Sequence, residues 1–260
     1  MHWVIQENLY REKGLDDLID LLGRAGIPYS LHKVIPFVGD IEPDINPPNP
    51  VIVFGTYGMR RIAARKGWVP GAFVNDNFEF PIWREHWGDE LLNYDAEVCP
   101  FGQVPQRDEF FMRPVADSKS FSGGVFGWDE YVDWRTRVAD LHEDVGTTLN
   151  VDTPVLVCKP REIAREYRLW IVDGVVATAS LYRIGGRVHY DEFVDYDCRL
   201  YGERIAAMWS PDRAFVLDVA LDMEDRYKVV EINCLNAAGL YAANVGKLVL
   251  HLEAMGYNDD

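Results

Sequence analysis

Three groups of residues in this chain have the types and spacing to do chemistry. In the run RYKVVEIN, Glu231 and Asn233 occupy consecutive positions on one face of an alternating strand, and Asp218 lies in FVLDVALD just before it. A hairpin turning at Met223 to Arg226, with Asp222 facing Tyr227, sets Asp218 directly opposite Glu231. Side chains so opposed lie ~4.5–5.5 Å apart at Cβ, and like charges there repel. Two carboxylates and an amide oxygen on one face suit a hard, oxygen-seeking cation, and Mg2+ is the natural choice if phosphates complete its shell. Taken alone, the stretch also reads as a solvated face.

The second group is EYRLWIVDGVVATASLYR, whose Asp173-Gly174 is a two-residue hairpin signal. With Val172 opposite Val175, one face carries Glu166, Arg168 and Trp170 together with Ala177, Ala179, Leu181 and Arg183. Arginine grips planar oxyanions with two hydrogen bonds and keeps its charge when buried. Arg168 and Arg183 therefore read either as a phosphate or carboxylate clamp or as partners of acids on an exposed face. The third group is FFMRPVADSKSFSGGVF, in which an apolar strand delivers Arg113 and a polar loop follows with Lys119, Ser120, Ser122, Gly123 and Gly124. Glycine lets backbone N–H groups approach a phosphate, and a cation neutralises it. The spacings GxxxxGK[ST] and GxGxxG are both absent.

These residues need elements to position them. Leu15, Leu18, Ile19, Leu21 and Leu22 have helical spacing, with Gly23 and Gly26 as stops. YSLHKVIPF reads as a strand, IEPDINPPNP as a loop, and PVIVFGTYGMRRIAARKG as strand, turn and helix. Residues 76–108 show no clean period and read as a connection. WDEYVDWRTRVADLHEDVG and DCRLYGERIAAMWS read as helices, TPVLVCKP as a strand, and AAGLYAANVGKLVLHLEAMG as a closing helix. The order favours an α+β chain with antiparallel hairpins over a doubly wound parallel sheet. It divides into a small α/β domain at 1–95 and a larger one at 96–260.

Composition limits the partners. The formal net charge of −16 over 260 residues argues against nucleic acid, whose phosphates need a basic surface. A local cluster of cations still suffices for a small anion. No apolar run approaches the ~20 residues that span a bilayer, and the N-terminus lacks the apolar core of a secretory signal. The four cysteines are scattered without a CxxC pair, which predicts a reduced, cytoplasmic protein.

Taken in order, the three groups resemble the ATP-grasp superfamily over roughly residues 108–255. The likeness is closest to phage and bacterial members with the patterns RP…SK.F.G, EYR.WIVDG and EIN…AGLY. The resemblance implies two α+β subdomains gripping ATP, preceded by a small α/β domain. It implies that Arg113, Lys119, Ser120 and Gly123 hold phosphates and that Val157 to Lys159 form a hinge against adenine. Glu166 then takes the ribose, and Asp218, Glu231 and Asn233 take magnesium. Arg113 stands where the family usually has lysine, and Cys158 where many members have glutamate. The implied activity is ATP-dependent ligation of a small-molecule or peptide carboxylate to an amine, or less often a thiol, through an acyl phosphate. Arg168 and Arg183 would face the transferred phosphate, and the loop from Asn236 to Gly239 would meet the acceptor, with Tyr182 and Tyr241 lining that pocket or packing in the core. Kinase-like transfer to a small hydroxyl compound and a non-catalytic nucleotide-binding module are the alternatives. Gly55, Tyr57, Arg60 and Arg61 are the candidates in the N-terminal part.

Overall fold

The computed structural model describes residues 1–9, 12, 14–35, 39–73, 79–116, 120–140 and 148–256. The chain opens with β1 (His2–Gln6), α1 (Leu15–Ala25), β2 (Tyr29–Ile35), β3 (Asp40–Glu42), β4 (Val51–Phe54), α2 (Tyr57–Lys66) and β5 (Pro70–Gly71). They form a sheet ordered β3-β2-β1-β4-β5, in which only β3 runs antiparallel to its neighbour. The leucine stripe of α1 faces inward, and the helix ends at Gly26 with φ 67°, a left-handed turn that glycine takes without steric cost.

Next come α3 (Phe80–Trp87), β6 (Glu97–Pro100), β7 (Glu109–Pro114), β8 (Gly124–Gly127), α4 (Trp128–Ala139) and β9 (Pro154–Cys158). The four strands make an antiparallel sheet ordered β6-β9-β7-β8. The expected structureless connection at 76–108 therefore holds a helix and a strand. Phe80, Trp83 and Trp87 recur at helical spacing and are all buried, with a proline in the first turn of α3.

The last part comprises β10 (Ile163–Val172), β11 (Val175–Ile184), β12 (Arg187–Asp191), α5 (Tyr196–Met208), β13 (Ala214–Asp222), β14 (Tyr227–Asn233) and α6 (Val245–Ala254). Its sheet is antiparallel in the order β12-β11-β10-β13-β14. Asp173 and Gly174 have φ of 46° and 80°, the signature of a two-residue hairpin turn, and Val172 pairs with Val175 as expected. Gly185 and Gly186 make a second such turn into β12, which the sequence reading missed. The closing helix is shorter than expected. It begins at Val245, capped by Asn244, whose side chain accepts from Lys247 N at 3.0 Å.

Register shifts in two hairpins change the expected faces. In β10–β11, Arg168 pairs with Ser180 and Glu166 with Arg183, while Ala179 and Leu181 fall opposite Leu169 and Tyr167 in the core. In β13–β14, Leu221 rather than Asp222 faces Tyr227, because Asp222 N donates to Arg226 O across a three-residue turn. An extra residue between the pairs Val219–Val229 and Asp218–Glu231 restores the offset, so Asp218 still opposes Glu231. The bulge also sends Val229 and Glu231 to opposite faces. Val229 is buried in the core and Glu231 is left half-exposed.

The five-stranded C-terminal sheet is covered unevenly. One face, with Tyr167, Leu169, Ile171, Phe215 and Leu217, packs under α3 and α5. On the other, Trp170, Val172, Ala214 and Val216 pack with α1, α6 and the apolar side of the N-terminal sheet. Further along that second face the residues turn polar, and there the sheet looks across a cavity toward the four-stranded sheet.

Candidate nucleotide site

The cavity has a volume of about 840 Å³. From the four-stranded sheet, alternation on β7 buries Phe110 and Met112 and presents Phe111 and Arg113 to it. The connection into β8 adds Ser122, Gly123 and Gly124. Gly123 cannot carry a larger side chain without adjustment, since a Cβ there would lie 3.0 Å from the Cβ of Arg113. The five-stranded sheet contributes Glu166, Arg168, Asp218, Glu231 and Asn233 from three adjacent strands, with Tyr182 and Arg183 from a fourth. Trp83, Asn93, Phe121, Arg161 and Tyr241 add to the polar and aromatic lining.

Charges alternate across this floor. Arg168 donates from Nε to Asp218 Oδ1 at 2.8 Å and from Nη2 to Oδ2 at 2.7 Å, a two-pronged pair that is almost fully buried. Arg113 donates to Glu231 at 3.3 Å and lies 5.0 Å from the centre of the Trp83 ring. Asn233 Nδ2 bridges the acids, 3.2 Å from Asp218 and 3.1 Å from Glu231. Glu166 accepts from the Tyr182 hydroxyl at 2.9 Å and from Arg183 at 3.0 Å. The Arg168 guanidinium also sits 4.6 Å from the Tyr241 ring centre.

Burial and the neighbouring Glu231 carboxylate push Asp218 up to about 6, against the pull of Arg168. Burial works against the charge of Arg168, but Asp218 outweighs it and raises its pKa further. The site thus interleaves three carboxylates, Glu166, Asp218 and Glu231, with four arginines, Arg113, Arg161, Arg168 and Arg183. Such a donor set fits a hard dication. Glu231 keeps lone pairs free beyond the bonds it accepts from Arg113 and Asn233, and Asn233 can turn its amide oxygen inward. Asp218 is the exception, since both its oxygens are committed to Arg168.

The residues singled out in the sequence fall into distinct places. Arg113, Gly123, Glu166, Arg168, Arg183, Asp218, Glu231 and Asn233 line one cavity. Ser120 is not part of that lining, and Lys119 is outside the described residues. Val157 is buried in the core between α4 and its own sheet, and Lys159 is exposed, so neither side chain reaches the cavity. Asn236, expected at the acceptor, does not line the cavity. It is 3% exposed; its Nδ2 donates to Val53 O at 2.6 Å, and its Oδ1 accepts from Phe73 N at 2.8 Å. It braces the loop after β14 against the N-terminal sheet. Gly55, Tyr57, Arg60 and Arg61 do not line the cavity either; Gly55 N donates to Asn236 O at 2.8 Å as part of the same brace. Trp83, Asn93 and Arg161 went unnoticed because they sit in stretches read as connections, although the spacing of Trp83 with Phe80 and Trp87 carried a signal.

The solved structures similar to this one share its architecture at low identity. A D-cycloserine synthetase, DcsG, superposes with a TM-score of 0.58 at 12% identity, covering 97% of this chain and 98% of that one. The ATP-grasp ligase PsnB, in complex with precursor peptide PsnA2 and AMPPNP, gives 0.57 at 14% identity over 97% and 96%. The D-alanine–D-alanine ligase of Bacillus anthracis in complex with ATP gives 0.58 at 13% identity over 97% and 96%. No curated protein matches the sequence. A family model of the ATP-grasp domain, the third family of its clade, matches residues 45–252, so that with four-fifths of its length accounted for, the chain belongs to the ATP-grasp domain family.

Proposed function

We propose that the protein is a magnesium- and ATP-dependent ligase that joins a carboxylate to an amine. The observation that supports this most is the convergence of two opposed carboxylates and four arginines on a single cavity between two sheets. A magnesium–polyphosphate carries interleaved charges of both signs, and this floor is its complement. The volume also suits a nucleotide. Relatives in the fold have been captured with ATP and with a precursor peptide plus AMPPNP, which suits an amino acid or peptide as the acceptor.

In this reading Glu231 and Asn233 would hold Mg2+, with Asp218 behind them, and the ion would neutralise charge on the phosphates. Arg113 draws in the phosphate chain, assisted by the loop carrying Gly123. Arg183, pinned by Glu166, faces the phosphate to be transferred. A carboxylate oxygen of the substrate attacks the terminal phosphorus and ADP departs. An amine then attacks the acyl carbon, loses a proton and expels phosphate. The protein's part is positioning and charge compensation.

ADP release, followed with Mg–ATP against a panel of carboxylic acids, amino acids and short peptides, tests the reading. Turnover with amide formation supports it. A phosphorylated hydroxyl product indicates kinase-like transfer, and binding without turnover indicates a nucleotide-binding module. Glu231→Gln should weaken AMPPNP binding at least tenfold in magnesium and little in EDTA; equal affinities in magnesium would remove Glu231 from the metal site.

A further inference from the structure

Along β10 the cavity lining runs from Arg168 back to Ile163, five residues and about 16 Å at ~3.3 Å per residue. That span accommodates the phosphates and ribose of the nucleotide assigned above, so the base falls near Ile163, Arg161 and Asn93. The segment bearing Asn93 is anchored on two sides. Leu92 N donates to Val229 O of β14 at 2.8 Å, and Asp95 pairs with Arg161 beyond the end of β9. Asn93 itself is 8% exposed and lines the cavity.

Its carboxamide has a fixed orientation. The Cys158 thiol lies 3.3 Å from Asn93 Oδ1. Burial pushes that thiol up to about 11, so at neutral pH it carries a proton and donates. The oxygen therefore faces Cys158, and among the described residues Nδ2 has no hydrogen-bond partner. A nearly buried amide with one end held and the other open is suited to read a ligand edge, because a donor left unpaired on desolvation is costly.

We propose that Asn93, oriented by Cys158, is the residue that reads the nucleobase. Its Nδ2 donates to a ring nitrogen of adenine, and the second lone pair of Oδ1 accepts from the adjacent exocyclic amine. Asparagine is matched to adenine in this two-point way elsewhere in nucleic-acid recognition. Hypoxanthine keeps the purine shape but offers a carbonyl where adenine has the amine, so inosine nucleotides lose that bond. Cys158 is a positioning residue, acting only through the amide.

This inference rests on the nucleotide reading, and calorimetry separates the two. Mg–ADP and Mg–IDP are titrated into the wild type, Asn93→Leu, Cys158→Ala and Cys158→Ser. The expected result is a wild-type preference for ADP of at least tenfold. It should collapse to threefold or less in Asn93→Leu, fall partway in Cys158→Ala, and survive in Cys158→Ser, which keeps a donor. A merely structural role would lower both affinities together and leave their ratio intact. Equal wild-type affinities, or an unchanged ratio in Asn93→Leu, overturn the proposal while leaving nucleotide binding standing. Binding of neither nucleotide by the wild type overturns both. If Asn93→Leu does not fold, the alanine and serine variants of Cys158 decide: identical ratios in the two overturn it.

Discussion

The pairing of Arg168 with Asp218 is the costliest arrangement in the site. Two buried charges in contact roughly repay their own desolvation, but removing one partner strands the other. Arg168→Met should therefore cost about 3–5 kcal/mol at pH 7 in urea unfolding, with part recovered by adding Asp218→Leu. The loss should depend on pH in a definite direction. Asp218 already has a folded pKa raised above its unfolded value, and losing Arg168 raises it further. Stability linked to such a group is intact below the unfolded pKa and lost as pH rises through the folded one. The melting temperature of Arg168→Met should thus fall between pH 4 and 7 more steeply than that of the wild type, and Asp218→Asn should flatten the slope. Parallel curves for all three would show that Asp218 does not titrate in this window. At this scale much was legible: eight of the residues chosen from the sequence meet in the cavity, because strand alternation and arginine's preference for oxyanions are local rules. What stayed hidden was the commitment of Arg168 to Asp218, since nothing in the sequence says that β10 lies beside β13 with those two residues opposed.

At the scale of elements, register decides which side chains meet. The opposition of Asp218 and Glu231 was readable from the hairpin, yet it arises from a three-residue turn and a compensating bulge rather than from one four-residue turn. Bulges leave no reliable mark in a sequence of alternating valines. The helix α3 was missed because its flanking prolines, asparagines and tryptophans obscured a short period. The loop after β14 was assigned to chemistry by analogy, whereas the side chain of its asparagine bonds to the N-terminal part. Asn236→Ala removes three hydrogen bonds between this loop and β4, β5 and Phe73. It should lower stability by roughly 1–3 kcal/mol per buried group left unpaired, while kcat measured well below the melting point changes less than threefold. A large loss of kcat without loss of stability would return Asn236 to the acceptor site.

At the scale of the molecule, the α+β class was legible because hairpin signals dominate the C-terminal two-thirds, and the gripping arrangement of two sheets only through the resemblance to the ATP-grasp superfamily. The relation of the N-terminal part to the rest was not. The division at residue 95 suggests a separate unit, but the apolar half of the C-terminal sheet's second face, with Trp170, Val172 and Val216, shares its core with Trp3, Ile5 and Leu18. Phe80, Trp83 and Trp87, from before that division, pack instead on the opposite face of the same sheet. A chain interleaved this way resists dissection. A fragment of residues 96–260 alone should be aggregation-prone and give no cooperative melt, since it bares large apolar areas on both faces. Co-expressed with residues 1–95, it should be recovered as a soluble non-covalent complex; a monomeric 96–260 fragment with its own sharp transition would contradict this. The halves then behave as complementing pieces of one folding unit, and nucleotide binding should reappear only when both are present.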